Sequence, residues 1–100
     1  MKTKTKKYVL VRARDAGVHV GLLVSSTPTG AGATVVLADV RRIWRWRGAN
    51  SLNELAVRGA SEDHTRISEP VEQNTIHGVC EEIPVTEVAR ANLTRSRWGA

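Results

Sequence analysis

The chain has 100 residues, of which 41% are hydrophobic and 25% are charged, values typical of one folded domain with a modest core. Phenylalanine is absent and aromatic residues make up only 4%, so the core must consist mainly of Val, Leu, Ile and Ala. No apolar run approaches the roughly 20 residues of a membrane-spanning helix. The composition therefore argues against a disordered or membrane-embedded protein and predicts no membrane partner.

Charge and cysteine content bear on the partner and on the compartment. Fifteen Lys and Arg residues against ten Asp and Glu give a net charge of +5, which permits attraction to phosphates without requiring it. Basic residues concentrate in residues 2–47 and most acidic residues lie in 54–87. This division fits either an anion-binding face or two surfaces that meet between subunits.

The single cysteine, Cys80, cannot form a disulfide within the chain, which favours a reducing cytoplasm.

The N-terminal part of the chain predicts an arm followed by two strands. Residues 1–7, MKTKTKK, are expected to form a flexible basic arm, and residues 8–100 a single domain. YVLVRA, starting at Tyr8, is rich in β-formers, and VHVGLLVSST after the turn DAG predicts a second strand. Alternation along this second strand gives one face with Val18, Val20, Leu22 and Val24, and another with His19, Gly21, Leu23 and Ser25.

The longest strand is predicted from Ala33 to about Arg47, after the turn PTGAGA, and it completes an antiparallel meander. Regular alternation would give an apolar face formed by Val36, Ala38, Val40, Arg42, Trp44 and Trp46. The opposite, mostly charged face would carry Val35, Leu37, Asp39, Arg41, Ile43, Arg45 and Arg47. Core packing is therefore favoured for both tryptophans, with Arg42 stacked on one of them. A bulge near Arg41 and Arg42 would shift this register.

The second half predicts two short helices and two further strands. Ser51-x-x-Glu54 fits a capping box, and the apolar stripe after it predicts a helix over 51–58 that ends at Gly59. TRISEPV and TIHGVCEEIPV predict strands, and Gly78 and Pro84 in the second one indicate a bend or a sheet edge. Thr86 is a suitable N-cap for a helix that ends at about residue 93. The chain is thus predicted to be one α+β domain: a three-stranded meander, two later strands and two short helices.

Motifs for catalysis are absent from the sequence. His19, His64 and His77 are far apart, with no pair at the spacing of zinc ligands. Cys80 lies beside two glutamates, which disfavour a thiolate, so a buried or half-buried strand residue is expected there. GAGA at 30–33 lacks the lysine and helix of a phosphate-binding loop. These observations predict a protein that is not an enzyme and uses no cofactor or metal.

A binding site is better supported than a catalytic one. Arginines of the third strand suit bidentate contacts with phosphate, and the two tryptophans offer flat surfaces for bases. The N–H groups at the start of the helix over 51–58 would add an anion site, with hydrogen bonds from neighbouring side chains. His19 is expected to line the open face of the meander. The candidate ligand-binding residues are Arg41, Arg42, Trp44, Trp46, Asn50, Ser51 and His19.

Several stretches resemble a family of small bacteriophage and prophage proteins of unknown function. The stretches are DAGVHVG, VVLADVRRIWRWRGANSLNELA, TRISEPV and EEIPVTEVA, and the most specific motif is RRIW-x-W-x-GA-x-SL-x-ELA. In that family the cysteine usually follows the proline, so Cys80 departs from the pattern. Arg45 and Arg47 also stand where relatives often differ, which shifts weight to Arg41, Arg42, Trp44, Trp46 and the GANSL turn. The resemblance implies a binding protein that acts in the host bacterial cytoplasm.

Three binding hypotheses follow. The leading one is a counter-defence protein that sequesters an anionic small molecule such as a nucleotide signal, as a homo-oligomer, because a chain this short forms a pocket most easily between subunits. The second is nucleic-acid binding through the arginine row and the lysines of the arm, which are Lys2, Lys4, Lys6 and Lys7. The third is a module that blocks a host protein with a tryptophan-rich surface.

Overall fold

The computed structural model describes residues 7–30, 32–61, 64–95 and 97–98. Within these ranges the elements are β1 Tyr8–Ala13, β2 Gly17–Thr29, β3 Gly32–Arg45, α1 Leu52–Arg58, β4 Arg66–Ile67, β5 Val71–Pro84, α2 Glu87–Leu93 and β6 Arg97–Trp98. All strand pairings are antiparallel, which confirms the predicted α+β class. The predicted basic arm lies outside the described residues, apart from Lys7.

Four strands close into a ring. β2 pairs with both β1 and β3, and β5 pairs with the other edges of β1 and β3, so the predicted meander is completed by the long fifth strand. Side chains from these strands fill the inside of the ring and form what we call the inner core. Its buried members are Val9, Val11, Ala13, Val35, Leu37, Val40, Ile76 and Val79. Closure leaves these four strands few free edges.

The helices cover a second hydrophobic cluster on the outside of the ring, the outer core. Strand residues of this cluster are Tyr8, Leu10, Val20, Ile43 and Ile67. Leu55 and Ala56 of α1, with Ala89 and Leu93 of α2, pack against them. Within the described ranges neither helix has the length and apolar character needed to cross a bilayer.

Local signals in the sequence place both helices correctly. Ser51 caps α1 by accepting a hydrogen bond from the Glu54 N–H at 3.3 Å. Thr86 caps α2 by accepting from the Ala89 N–H, and its hydroxyl donates to the Val57 carbonyl at 2.7 Å. The cap of α2 is therefore also a bond to α1, which joins the two helices over the outer core.

The side-chain alternation predicted for β3 is wrong beyond its first half. Val35 and Leu37 point into the inner core, but so does Val40, because Asp39 has a φ of 47° and adds a residue to the strand. The register shows the insertion, since Val20 pairs with Arg41 while the next paired β2 residue is opposite Ala38. This bulge lies just before the predicted position. It reverses which face each later residue of β3 occupies.

Gly21 makes room for this bulge. A Cβ atom at Gly21 would lie 2.9 Å from the Ala38 carbonyl oxygen and 3.1 Å from the Val40 Cα. The β3 backbone therefore approaches β2 more closely than a side chain at that position would allow. The bulge and the glycine form one structural feature that spans two strands.

Other differences concern the ends of strands and individual side chains. β3 ends at Arg45, β4 has only two residues, and β5 starts at Val71, well before the predicted strand. Gly78 lies within β5 and has a φ of 72°. Cys80 was expected to be buried or half-buried but is exposed, and its thiol donates to the Arg12 carbonyl at 3.4 Å.

Candidate functional site

A groove opens at one end of the ring interior, and we call it the ring groove. It has a volume of about 500 Å³, within the range of small-molecule sites. Its polar side chains come from the turn after β1 and from three strands of the ring. They are Asp15, His19, Arg42, Asn74, Thr75 and His77, and the buried Ile76 adds an apolar side chain. The ring groove thus brings together two of the predicted site residues, His19 of β2 and Arg42 of β3.

His19 is the buried polar residue of the ring groove. Its side chain is 5% exposed, and its Nε2 lies 2.8 Å from the Ala16 carbonyl, to which the N–H donates. Burial lowers the pKa of His19, the Ala16 carbonyl partly opposes this, and the charge of Arg42 lowers it further. The imidazole is therefore neutral near pH 7, and its Nδ1 is left as an acceptor by this tautomer.

Arg42 supplies the positive charge of the ring groove. It is the cross-strand partner of His19, and it lies on the groove face because of the bulge at Asp39. Its backbone is held by Ser68, which accepts from the Arg42 N–H at 2.9 Å and donates its own N–H to the Arg42 carbonyl at 3.0 Å. The exposed guanidinium passes over Gly17, where an added Cβ would lie 3.1 Å from Nη2.

The remaining polar groups are of mixed character. Asn74 offers an amide, and the His77 ring lies 3.2 Å from the Thr34 hydroxyl at the rim. Asp15 brings a carboxylate, which accepts hydrogen bonds but repels anions. No local pattern in the sequence marks Asn74 or His77 of β5 as a site residue. Their place in the groove depends on the pairing of β5 with β3, which brings Asn74 opposite Leu37. In the described ranges, no three His, Cys, Asp or Glu side chains are grouped to hold a metal ion.

Arg41 lies on the other face of β3, away from Arg42. It lines a smaller cavity of about 220 Å³, the Tyr8 cavity, together with Tyr8, Asp39, Arg90 and Thr94. Its Nη1 donates to the Ser68 carbonyl at 3.3 Å. The two neighbouring arginines of the motif therefore belong to two separate concave sites.

The two tryptophans of the motif also differ. Trp44 is 57% exposed, so the expectation of core packing is wrong for it. The cation over its ring is Arg66, at 5.6 Å from the ring centroid, rather than the expected Arg42. Trp46 is half-buried and packs against the outer core. Neither tryptophan lines the ring groove.

Asn50 and Ser51 lie at the start of α1, where the Glu54 carboxylate closes the turn. Glu54 accepts from the Asn50 N–H at 3.1 Å and also binds Arg58. These hydrogen bonds, first that from the Asn50 backbone, lower the pKa of Glu54, which is therefore a carboxylate at pH 7. An anion at the start of α1 would be repelled by the negative charge of the Glu54 carboxylate. Neither Asn50 nor Ser51 lines the ring groove or the Tyr8 cavity.

Comparison with known proteins identifies a family, but that family has no assigned activity. Curated proteins and solved structures gave no match to the chain. One family model does match, over residues 6–93, and its description is a domain of unknown function, DUF6948. The match includes the whole ring, both helices and every residue named for the two concave sites except Thr94. The chain therefore belongs to the DUF6948 family.

Proposed function

We propose that this protein is a non-enzymatic binding protein that sequesters a small anionic ligand, such as a nucleotide, in the ring groove. The observation that carries the proposal is the pairing of Arg42 with the buried His19 at the open end of the ring interior. A guanidinium suits bidentate contacts with a phosphate group. The neutral imidazole beside it provides a directed hydrogen-bond acceptor.

The composition of the ring groove favours a nucleotide over a simple inorganic anion. The volume of about 500 Å³ is larger than a bare phosphate needs. Asn74 can bond a base edge, and Asp15 can accept hydrogen bonds from sugar hydroxyls while Arg42 binds the phosphate. Because Asp15 repels negative charge, we expect the phosphate on the Arg42 side of the ring groove.

Origin, compartment and assembly are part of the same proposal. The resemblance of the RRIW-x-W-x-GA-x-SL-x-ELA motif supports a phage-encoded protein that acts against host defence in the bacterial cytoplasm. The ring groove opens to solvent, and a second copy of the chain would enclose a ligand there more completely. We therefore propose a homo-oligomer, which sedimentation with and without ligand would test.

Calorimetric titration with a panel of mononucleotides and cyclic nucleotides tests the binding function. We expect Arg42→Gln to weaken the affinity of a positive ligand at least about tenfold, since hydrogen bonds to charged groups contribute roughly 1.5–3 kcal/mol. Arg58→Gln on α1 removes the same charge away from the ring groove and should leave the affinity unchanged. Absence of heat with every member of the panel would overturn the proposal.

Nucleic acid and a host protein are the alternative partners. The net charge of +5 supports the first, and the exposed Trp44 with Arg66 over its ring supports the second. Gel shifts at low salt with single- and double-stranded DNA and RNA test nucleic-acid binding, which must weaken steeply as salt rises. Pull-down from bacterial lysate with Trp44→Ala as the comparison tests the protein-blocking alternative.

A further inference from the structure

We propose that the Tyr8 cavity is a second binding site, for an oxyanion with the size and charge of a phosphate group. This inference is independent of the ligand in the ring groove. Tyr8 begins β1, whereas the ring groove lies past the opposite end of that strand, at Asp15 and Ala16. The two sites also differ in face, because Tyr8 belongs to the outer core.

The Tyr8 hydroxyl is the first observation behind the proposal. Tyr8 is 7% exposed, and its hydroxyl oxygen is buried with no hydrogen-bond partner among the described residues. A buried hydroxyl without a partner is unfavourable and uncommon in folded proteins. The Tyr8 side chain packs in the outer core and also lines the Tyr8 cavity. An anion in the cavity would accept a hydrogen bond from the Tyr8 hydroxyl and so supply the missing partner.

Two arginines supply positive charge to the cavity that Tyr8 lines. The Arg90 guanidinium of α2 lies 4.7 Å from the centroid of the Tyr8 ring. Arg41 of β3 lines the same cavity, and its bond to the Ser68 carbonyl orients it. Burial is the main influence on the pKa of Tyr8 and raises it, the charges of Arg41 and Arg90 lower it, and Asp39 raises it.

The size and the remaining charge of the Tyr8 cavity define the ligand class. A volume of about 220 Å³ is smaller than most sites for whole organic ligands. It suits a free phosphate or a terminal phosphate group. Asp39 at the rim carries an opposing charge, so the cavity has two cations, one carboxylate and one phenolic donor. A ligand that binds several donors at once, as a tetrahedral oxyanion does, is favoured over a planar carboxylate.

Titration of inorganic phosphate into the ¹⁵N-labelled full chain, at constant ionic strength, tests the proposal. We expect shifts of the backbone signals of Tyr8, Arg41 and Arg90, and none of comparable size with acetate. Tyr8→Phe keeps the ring and removes only the hydroxyl, so affinity should fall roughly tenfold. Arg90→Gln should weaken binding by at least as much. Arg12→Gln on the outside of β1 removes an equal charge and should change affinity less than about twofold.

Three outcomes would overturn the inference: no saturable shift with phosphate, equal shifts with acetate, or unchanged affinity in Tyr8→Phe. Arg42→Gln separates this site from the ring groove, because it should leave phosphate binding at Tyr8 intact. If Arg42→Gln abolishes the phosphate shifts, the anion binds in the ring groove and the inference fails. Should Tyr8→Phe unfold, Arg90→Gln decides the question, since Arg90 is exposed on α2.

Discussion

His19 and Arg42 face each other across β2 and β3, and the guanidinium helps to keep the imidazole neutral. Burial is the main reason, because a charged imidazole would lose its hydration inside the ring. The pair thus combines a permanent cation with a neutral hydrogen-bonding ring. Binding and stability should both respond to the protonation of His19.

The first prediction concerns stability in acid. The unfolded chain takes up the His19 proton near the ordinary pKa of 6.5, but the folded protein takes it up only at lower pH. Stability contributed by His19 is therefore fully present above pH 6.5 and is lost as pH falls from there through the lowered pKa of the folded state. Urea denaturation at neutral pH and at about pH 5 should show this loss, and His19→Gln should reduce it.

His64→Asn is the control for the acid experiment. His64 is exposed and has a φ of 60°, a conformation that Asn tolerates well. This variant should keep the pH dependence of the wild-type protein. An equal pH dependence in His19→Gln would contradict the assignment of the effect to His19.

The second prediction concerns the contact that permits the β3 bulge. Gly21→Ala would place a methyl group 2.9 Å from the Ala38 carbonyl oxygen, so the strands must separate. We expect a loss of about 1–3 kcal/mol in the free energy of unfolding. Gly30→Ala is the matched control, because nothing lies within 4 Å of the added Cβ. Equal denaturation midpoints for the two variants would contradict the tight contact at Gly21.

The third prediction separates the two tryptophans of the motif. Trp46→Ala removes a half-buried ring from the outer core and should cost about 2–3 kcal/mol. Trp44→Ala removes an exposed ring and its contact with Arg66, for which about 1 kcal/mol or less is expected. Iodide quenching provides a second measurement, since only Trp44→Ala should lower the accessible fraction of the fluorescence. The reverse order of stabilities would show that the faces are assigned wrongly.

The fourth prediction concerns the bond between α2 and the loop after α1. The Asn92 amide donates to the Ala60 carbonyl and accepts from the Ala60 N–H, both at 2.9 Å. Asn92→Ala removes both bonds and should lower the free energy of unfolding by about 1–3 kcal/mol. Asn53→Ala on the exposed side of α1 should be neutral or slightly stabilising, because Ala favours helix. Thermal denaturation of the two variants distinguishes these outcomes.

The sequence by itself determined the fold class and the order of the elements from β1 to α2, but not β6. Alternating apolar residues, turns rich in Gly, and the caps Ser51 and Thr86 are local signals, and the strands β1 and β2 and both helices follow them. The two faces of β2 were also predictable as far as Leu23, because that part of the strand is regular.

Only the tertiary structure decided which residues share a site. The bulge at Asp39 depends on the close approach of β2 at Gly21, and it decides which of the two cavities Arg41 and Arg42 each face. The grouping of Tyr8 with Arg41 and Arg90 requires β1, β3 and α2 to pack together. Side-chain periodicity along one strand predicts neither the bulge nor this grouping, because each arises from contacts between segments far apart in the chain.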